Sequence, residues 1–423
     1  MRRPLTAIEI STLSDFYTAR GATGTQDLIG LMLTTPEFLY HLENQGATIN
    51  GAASLLRLSG YEIASKISYH YWLSMPNSEL MAAAASGQLG TSDGIKTVIE
   101  TVIFGTQQAR TRVTVSSYFN DWLKIDSVLD LQNMNPAFLA FSAGENLNVA
   151  GHNHRIDMIN EANDLVNYHV WDTNGNLSDL LTSNISFAKT DDLAHLYGGI
   201  TKYVPGGPLV RFPAGERSGI LTRSTLLTTG IVDTNPILKG VGIMANIVCN
   251  PLPSPPADLL DLRTVTIMGY HTTRKRAEIV MSNSLCTRCH GIINPIGFAF
   301  EAYDSLGRLR NPPRQNIYNT DGTIAATLPT SSTADAQIIS GYPVHVNNTV
   351  DLSLQIAQSD RADACFARKY YEFTNKNMED DGKDSCALQA IYAKLQSPAG
   401  GGMREMFKEI ATQPSFLIRQ VGP

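Results

Sequence analysis

The chain has 423 residues, 43% of them hydrophobic and 17% charged, which is the balance of a folded protein and not of a disordered one. Lysine and arginine number 33 against 39 acidic residues, so the formal charge is -6 and no basic field is available to hold a nucleic-acid backbone. The longest apolar stretches, such as GVGIMANIVC, fall far short of the roughly 18 to 20 residues that cross a bilayer, and Asn246 interrupts that one, so no transmembrane segment is expected.

At roughly 100 to 200 residues per domain, the length predicts two to three domains. From Ile8 to about Tyr40 the pattern is amphipathic and helical, closing at TTPEFLYHLENQG with a glycine stop. Residues 56 to 190 continue as helix. YEIASKISYHYWLS repeats apolar and aromatic residues at helical spacing, MPNSELMAAAASG places a proline near a helix start, and TVSSYFNDWLKI supplies another apolar face. The segment 204 to 216, VPGGPLVRFPAGE, reads as a linker or long loop, with a domain boundary near 200 to 207. NPLPSPP, at 250 to 256, favours an extended polyproline arm. Residues 311 to 345 read as loops with short strands and little core, and 350 to 423 return to helix in LSLQIAQS, ACFARKYYEFT, CALQAIYAKLQ and MREMFKEIATQPSFLIRQV. No internal repeat of fixed period is visible.

Two of the five cysteines stand three apart, followed at once by a histidine, in Cys286-Thr-Arg-Cys289-His290. This C-x-x-C-H string is the pattern of c-type haem attachment: two thiols add to two vinyl groups while the adjacent imidazole reaches the iron. A zinc site needs a second ligand pair, and neither Cys249 nor His271 makes one. A thioredoxin-like pair needs a βαβ setting, which is not seen here. Haem is the favoured reading, with disulfide and metal as the alternatives. A ligating histidine usually donates its other N–H to an acceptor. In GIINPIGFAFE, Pro295 or a neighbour is expected to present that carbonyl as the chain folds back, with Phe298 and Phe300 walling the haem or serving as plain core.

The run CTRCHGIINPIGFAFEAYDSLGRLR resembles the signature of the large planctomycete-type c-type cytochromes, whose single CxxCH motif is embedded in tandem domains of unknown function. RRPLTAIEI, LSGYEIASKISYHYWLSMPNSELMAAAASGQL, DLLTSNISFAKTDDLAHLYGG, RSGILTRSTLL and ADACFARKYYEFT, with Cys386 beyond, are similar to successive stretches of such proteins. The resemblance covers almost the whole chain in the expected order. It implies a mostly α-helical, exported bacterial cytochrome. The start, MRRPLTAIEISTL, has two arginines and no apolar export core of about 7 to 15 residues. Because haem is attached outside the cytoplasm, a removed leader or a longer N-terminal part is expected.

Cys365 and Cys386 lie on two expected helices joined by NKNMEDDGKD, and in an oxidising compartment a bridge between them would staple a helical hairpin at about 3 kcal/mol. Cys249 is then left over, either buried and free or paired outside this chain. Asn377, Glu379, Asp381 and Gly382 imitate a calcium loop, but Leu388 stands where a bidentate glutamate is needed, which favours a solvated turn. His152 and His154 lack a third ligand and read as an exposed loop.

The expected fold class is mainly α: a multi-domain helical protein with a c-type haem-binding segment and loop-rich connections. Its expected parts are an N-terminal helical segment (1–50), a helical domain (51–203), a haem-binding domain (204–345) and a C-terminal helical domain (346–423). The expected function is that of a periplasmic or extracellular monohaem cytochrome carrying single electrons between redox proteins, other cytochromes among them. One covalent haem c is expected on Cys286 and Cys289, with His290 as metal ligand and Pro295 and Phe298 beside the cofactor. A haem enzyme with an open iron site, acting as a peroxidase or binding a gas, and a haem-bearing subunit of an extracellular assembly are the alternatives. The iron is expected to be six-coordinate, with Met75, His345, Met281 and Met378 as the candidates for the sixth ligand.

Overall fold

Helices dominate, as the apolar periodicity requires, and among the described residues sheet is confined to short antiparallel pairs and one three-stranded sheet. The computed structural model describes residues 2–129, 131, 135–147, 153–252, 267–281, 284–375, 378, 381–397 and 401–421. The chain forms two compact units, one of Met1–Val115, Glu379–Ile391 and Met406–Pro423, the other of Ser116–Met378 and Tyr392–Glu405. Most of the proline-rich arm expected at 250 to 256 lies outside the described residues.

In the first unit the helix Gly60–Trp72 opens on a capping box. Ser59 accepts from the Glu62 amide at 3.3 Å, and the Glu62 carboxylate accepts from the Ser59 amide at 2.7 Å, satisfying two N-terminal donors reciprocally. Ile63, Ala64, Ile67 and Tyr71 follow at helical spacing and are buried on one face. The Tyr71 hydroxyl donates to the Phe407 carbonyl at 2.5 Å, so the C-terminal chain is part of this core. The final stretch MREMFKEIATQPSFLIRQV is not one helix. It is helical over Met403–Ile410 and again over Pro414–Leu417, then extends as the strand Ile418–Gln420 against Ala52–Arg57. Pro414 cannot continue a helix from the preceding turn but suits a new start, which is why the run divides there.

The second unit is built around two arginines of RSGILTRSTLL. Arg223 and Glu161 are 0% and 1% exposed and pair at 3.3 Å. Arg223 also donates to the carbonyls of Ser183 (3.2 Å) and Ile185 (2.8 Å). The Tyr197 hydroxyl and the Phe187 amide donate to the two Glu161 oxygens. Burial pushes the Glu161 carboxyl up, and the Arg223 charge opposes the shift. Arg217 lies over the rings of Tyr197 (4.4 Å) and Tyr303 (4.9 Å) and donates to the carbonyls of Thr222 and Gly307. These contacts join the strand Ile185–Ser186, which pairs with Val210–Arg211 from the glycine- and proline-rich segment, to the chain around Gly307. Phe138, Met158, Leu193, Leu196, Phe212 and Leu306 form an apolar cluster that shares Tyr197 with these contacts.

The helix Ser284–Phe298, which carries the cysteine motif, packs on the helix Pro236–Gly242 and on the strand Ala334–Ile339. The approach of the two helices is closer than side chains allow. A Cβ at Gly240 would lie 2.2 Å from the Ile293 carbonyl oxygen, and one at Gly297 would lie 1.8 Å from that of Pro236. Residues 314 to 346 form two hairpins, as the composition suggested, but they are not devoid of core: Ala336, Ile338 and Val346 are buried.

The disulfide differs from expectation. Cys249 bonds Cys365 with Cα atoms 5.2 Å apart, while Cys386 is an exposed free thiol. Cys365 lies on the buried face of the helix Arg361–Asn375, next to Phe366, and that helix packs on the turn Ile243–Ile247 just before Cys249. Cys386 sits on the exposed face of Asp381–Gln396, turned away from any core. Sequence proximity favoured the pair 365/386, but burial and facing decide. Closing a loop of 116 residues is worth about 5 kcal/mol by chain entropy.

Peptide mapping without reduction is expected to recover one peptide pair joined through Cys249 and Cys365, with Cys386 open to alkylation. A peptide joined through Cys365 and Cys386 would contradict this. Urea unfolding is expected to show Gly240→Ala less stable by about 1–3 kcal/mol. Gly242→Ala, on the same helix but with open space at its Cβ, is expected to stay within about 0.5 kcal/mol of the parent or to gain stability. Equal effects of the two substitutions would contradict the close helix contact.

Candidate functional site

Cys286, Cys289 and His290 all lie on the helix Ser284–Phe298. At about 100° per residue, positions i, i+3 and i+4 fall within an arc of about 100°, so one helix face presents both thiols and the imidazole. Both cysteines are free and half-buried, and so is His290. Its Nδ1 lies 3.1 Å from the side-chain oxygen of the buried Asn294. An amide oxygen only accepts, so this pairing is a hydrogen bond in the tautomer that carries its proton on Nδ1 and keeps the lone pair on Nε2.

The partner of the histidine is therefore not a backbone carbonyl at or near Pro295. The chain does not fold back there: Pro295 sits inside the helix, which runs on to Phe298. Lacking an N–H, Pro295 leaves the carbonyl one turn earlier, at Gly291, without its usual helical donor. Asn294 was not singled out in the sequence. The signal available was its i+4 spacing from His290, the spacing at which helical side chains meet.

Phe298 and Phe300 are both buried. The Arg274 guanidinium lies 4.5 Å from the Phe298 ring centre. Beyond them the structure places charges that the apolar runs PILKGVG and GFAFEAY disguise. Glu301 is 1% exposed and accepts from the Thr234 hydroxyl at 2.5 Å, with Arg310 at 3.9 Å. Burial pushes the Glu301 carboxyl up, against the opposing charges of Arg310 and Lys239. Lys239, on the helix Pro236–Gly242, donates to the carbonyls of Leu226 and Leu227 at 2.9 Å each, and burial pushes its ammonium down to about 8.

The four candidates for a sixth ligand are scattered. Met75 is 47% exposed and belongs to the first unit, whereas His290 belongs to the second. His345 is exposed, with Nδ1 2.9 Å from Asp335. Met378 is 74% exposed. Met281 caps the helix Thr273–Val280, and its carbonyl accepts from the Thr287 hydroxyl inside the CxxCH motif at 3.3 Å. Asn377 and Glu379 of the calcium-like run and His152 lie outside the described residues, while His154 is buried at the start of the helix His154–Asn167 and is not on an exposed loop.

Among the described residues no three His, Cys, Asp or Glu side chains converge as a metal-binding set. Cys286, Cys289 and His290 fit a covalently tethered haem, which needs two unbridged thiols and one imidazole with a free nitrogen on a common face, and not three ligands aimed at one point.

No curated protein and no solved structure matches the chain. Two family models do. Residues 58–198 match PSD4, a protein of unknown function (DUF1592), and residues 217–312 match PSCyt3, a protein of unknown function (DUF1588). The first match begins at the capped helix Gly60–Trp72, and the second opens on Arg217 and takes in the helix that bears the CxxCH motif. The chain thus carries two domains of unknown function in tandem, PSD4 followed by PSCyt3, with the CxxCH helix inside the second.

Proposed function

We propose that the chain is an exported monohaem c-type cytochrome that passes single electrons between redox proteins. The observation that carries the reading is the common helix face of Cys286, Cys289 and His290, with Nδ1 of His290 3.1 Å from the Asn294 side-chain oxygen. The name of the second family model, which points to cytochrome-like families, supports it, as does a disulfide compatible with an oxidising compartment. The absence of any helix long and apolar enough to cross a membrane, among the described residues, is consistent with it.

A haem bound there would supply a one-electron Fe(III)/Fe(II) couple. The chain's own residues would do the rest. Cys286 and Cys289 would hold the group as thioethers, each S–H adding across one vinyl double bond with no oxidant consumed. His290 would offer Nε2 to the metal. Asn294, by fixing the Nδ1 proton, sets the tautomer and the orientation of the ring and raises its donor strength. Pro295 and Phe298 would lie beside the cofactor, Pro295 as part of the stiff helix and Phe298 as apolar shielding.

The test is optical. Acidified acetone is expected to leave the colour on the protein, and haem extracted intact into the solvent would refute covalent attachment. Asn294→Leu is expected to keep the haem but shift its reduction potential upward, because the ring loses its acceptor and becomes a weaker donor. An unchanged potential would remove Asn294 from the account. In the parent, a low-spin ferric spectrum and slow carbon monoxide binding by the reduced protein are expected. A high-spin spectrum with ready gas binding would overturn electron transfer in favour of a haem enzyme.

A further inference from the structure

Residues 7–40 form a helical hairpin without a core of its own. The helices Ala7–Ala19 and Gly24–Thr34 are joined by the tight turn Gly21–Thr23, and the short helix Pro36–Leu39 follows. The first two pack on each other: a Cβ at Gly24 would lie 2.6 Å from the Tyr17 carbonyl oxygen. Yet Gly24 is the only buried residue in the three helices. Helices of 13 and 11 residues are marginal by themselves in water, and in folded proteins it is an apolar face packed on a partner that stabilises them. The hairpin therefore lacks the cover that helices of this length need.

The helical spacing shows where that cover belongs. At about 100° per residue each helix carries two apolar stripes side by side. On the first helix Leu13 and Phe16 are half-buried, while Ile10 and Tyr17, about 80° further round, are exposed. On the second, Leu28 and Met32 are half-buried, while Ile29 and Leu33, about 100° further round, are exposed. The short connection makes the pair antiparallel, so the same sense of rotation along the chain brings both exposed stripes to one face of the hairpin. Phe38, Leu39 and Tyr40, just beyond, are exposed as well. At about 150–250 Å² for a whole large side chain, these seven residues expose on the order of 700 Å². A stable interface takes about 800 Å² per partner with its polar rim included, so a surface of this size suffices for one.

A second copy of the chain fits this face. Two hairpins joined face to face make a four-helix bundle, in which each helix is covered on two adjacent sides, as the paired stripes require. Like charges do not oppose the contact. No charged residue stands between Asp27 and Glu37, Asp15 and Asp27 lie about 120° or more from the exposed stripes, and Glu9 is bonded to Arg3 at 2.6 Å. A lipid surface fits less well, because residues 7–40 hold four acidic side chains and one basic, the reverse of a membrane-binding helix.

We propose that the exposed face carrying Ile10, Tyr17, Ile29 and Leu33 joins the same face of a second copy of this chain, so that two hairpins close into a four-helix bundle.

The test is sedimentation velocity of the full chain at tens of micromolar, with Cys386 alkylated so that its exposed thiol cannot cross-link two copies. A species of twice 46.1 kDa is expected. Ile29→Glu and, on the other helix, Ile10→Glu are each expected to give a folded monomer, since both positions are exposed. Leu31→Glu, on the opposite side of its helix from Ile29 and Leu33, is expected to leave the dimer intact. Flotation with phosphatidylserine vesicles forms a separate arm. A parent that stays monomeric, Ile29→Glu and Ile10→Glu variants that pair as the parent does, a Leu31→Glu variant that is equally disruptive, or a monomer that floats with the vesicles would each overturn the proposal.

Discussion

The candidate site depends on how closely two helix backbones approach. Gly240 and Gly297 remove the side chains that would otherwise hold Pro236–Gly242 away from Ser284–Phe298, and any added Cβ at either meets a carbonyl oxygen. Backbone contact of this kind fixes the CxxCH helix in rotation as well as position, because a turn of the helix would carry a larger residue into the gap. That fixed rotation decides which face carries Cys286, Cys289 and His290. The same contact brings Lys239 towards the interior, where its ammonium is satisfied by two backbone carbonyls and by the field of Glu301. Buried charges are costly unless paired, and here each has a named partner.

Elsewhere in the second unit two buried arginines are answered by backbone carbonyls and, for Arg223, by an opposite charge. Arg223 answers Glu161 and two strand carbonyls. Arg217 answers Thr222 and Gly307. Each arginine thereby ties together segments far apart in sequence. Removing Glu161 alone would strand a buried guanidinium, which costs far more than the pair itself contributes. The Cys249–Cys365 bridge adds a covalent tie in the same unit.

The helical class was legible because apolar spacing is local: YEIASKISYHYWLS shows its apolar stripe within a few turns of helix. The CxxCH motif was legible for the same reason, since one turn of helix contains it. What was not legible is what depends on facing. Nothing in the spacing of Cys365 and Cys386 reveals that one points to the core and the other to solvent. The Asn294 contact was hidden because Pro295 suggested a break, whereas the helix runs through it. The strand Ile418–Gln420 was hidden because its partner lies more than 350 residues earlier.

The most direct test of the central claim is mass spectrometry of the protein produced in a periplasm with haem-attachment enzymes present. Trypsin digestion is expected to yield the peptide spanning Cys289 and His290 joined to that of Cys286 through one haem, both thiols consumed as thioethers. Recovery of Cys286 and Cys289 as free thiols, or as a disulfide with each other, from protein made under those conditions would contradict it.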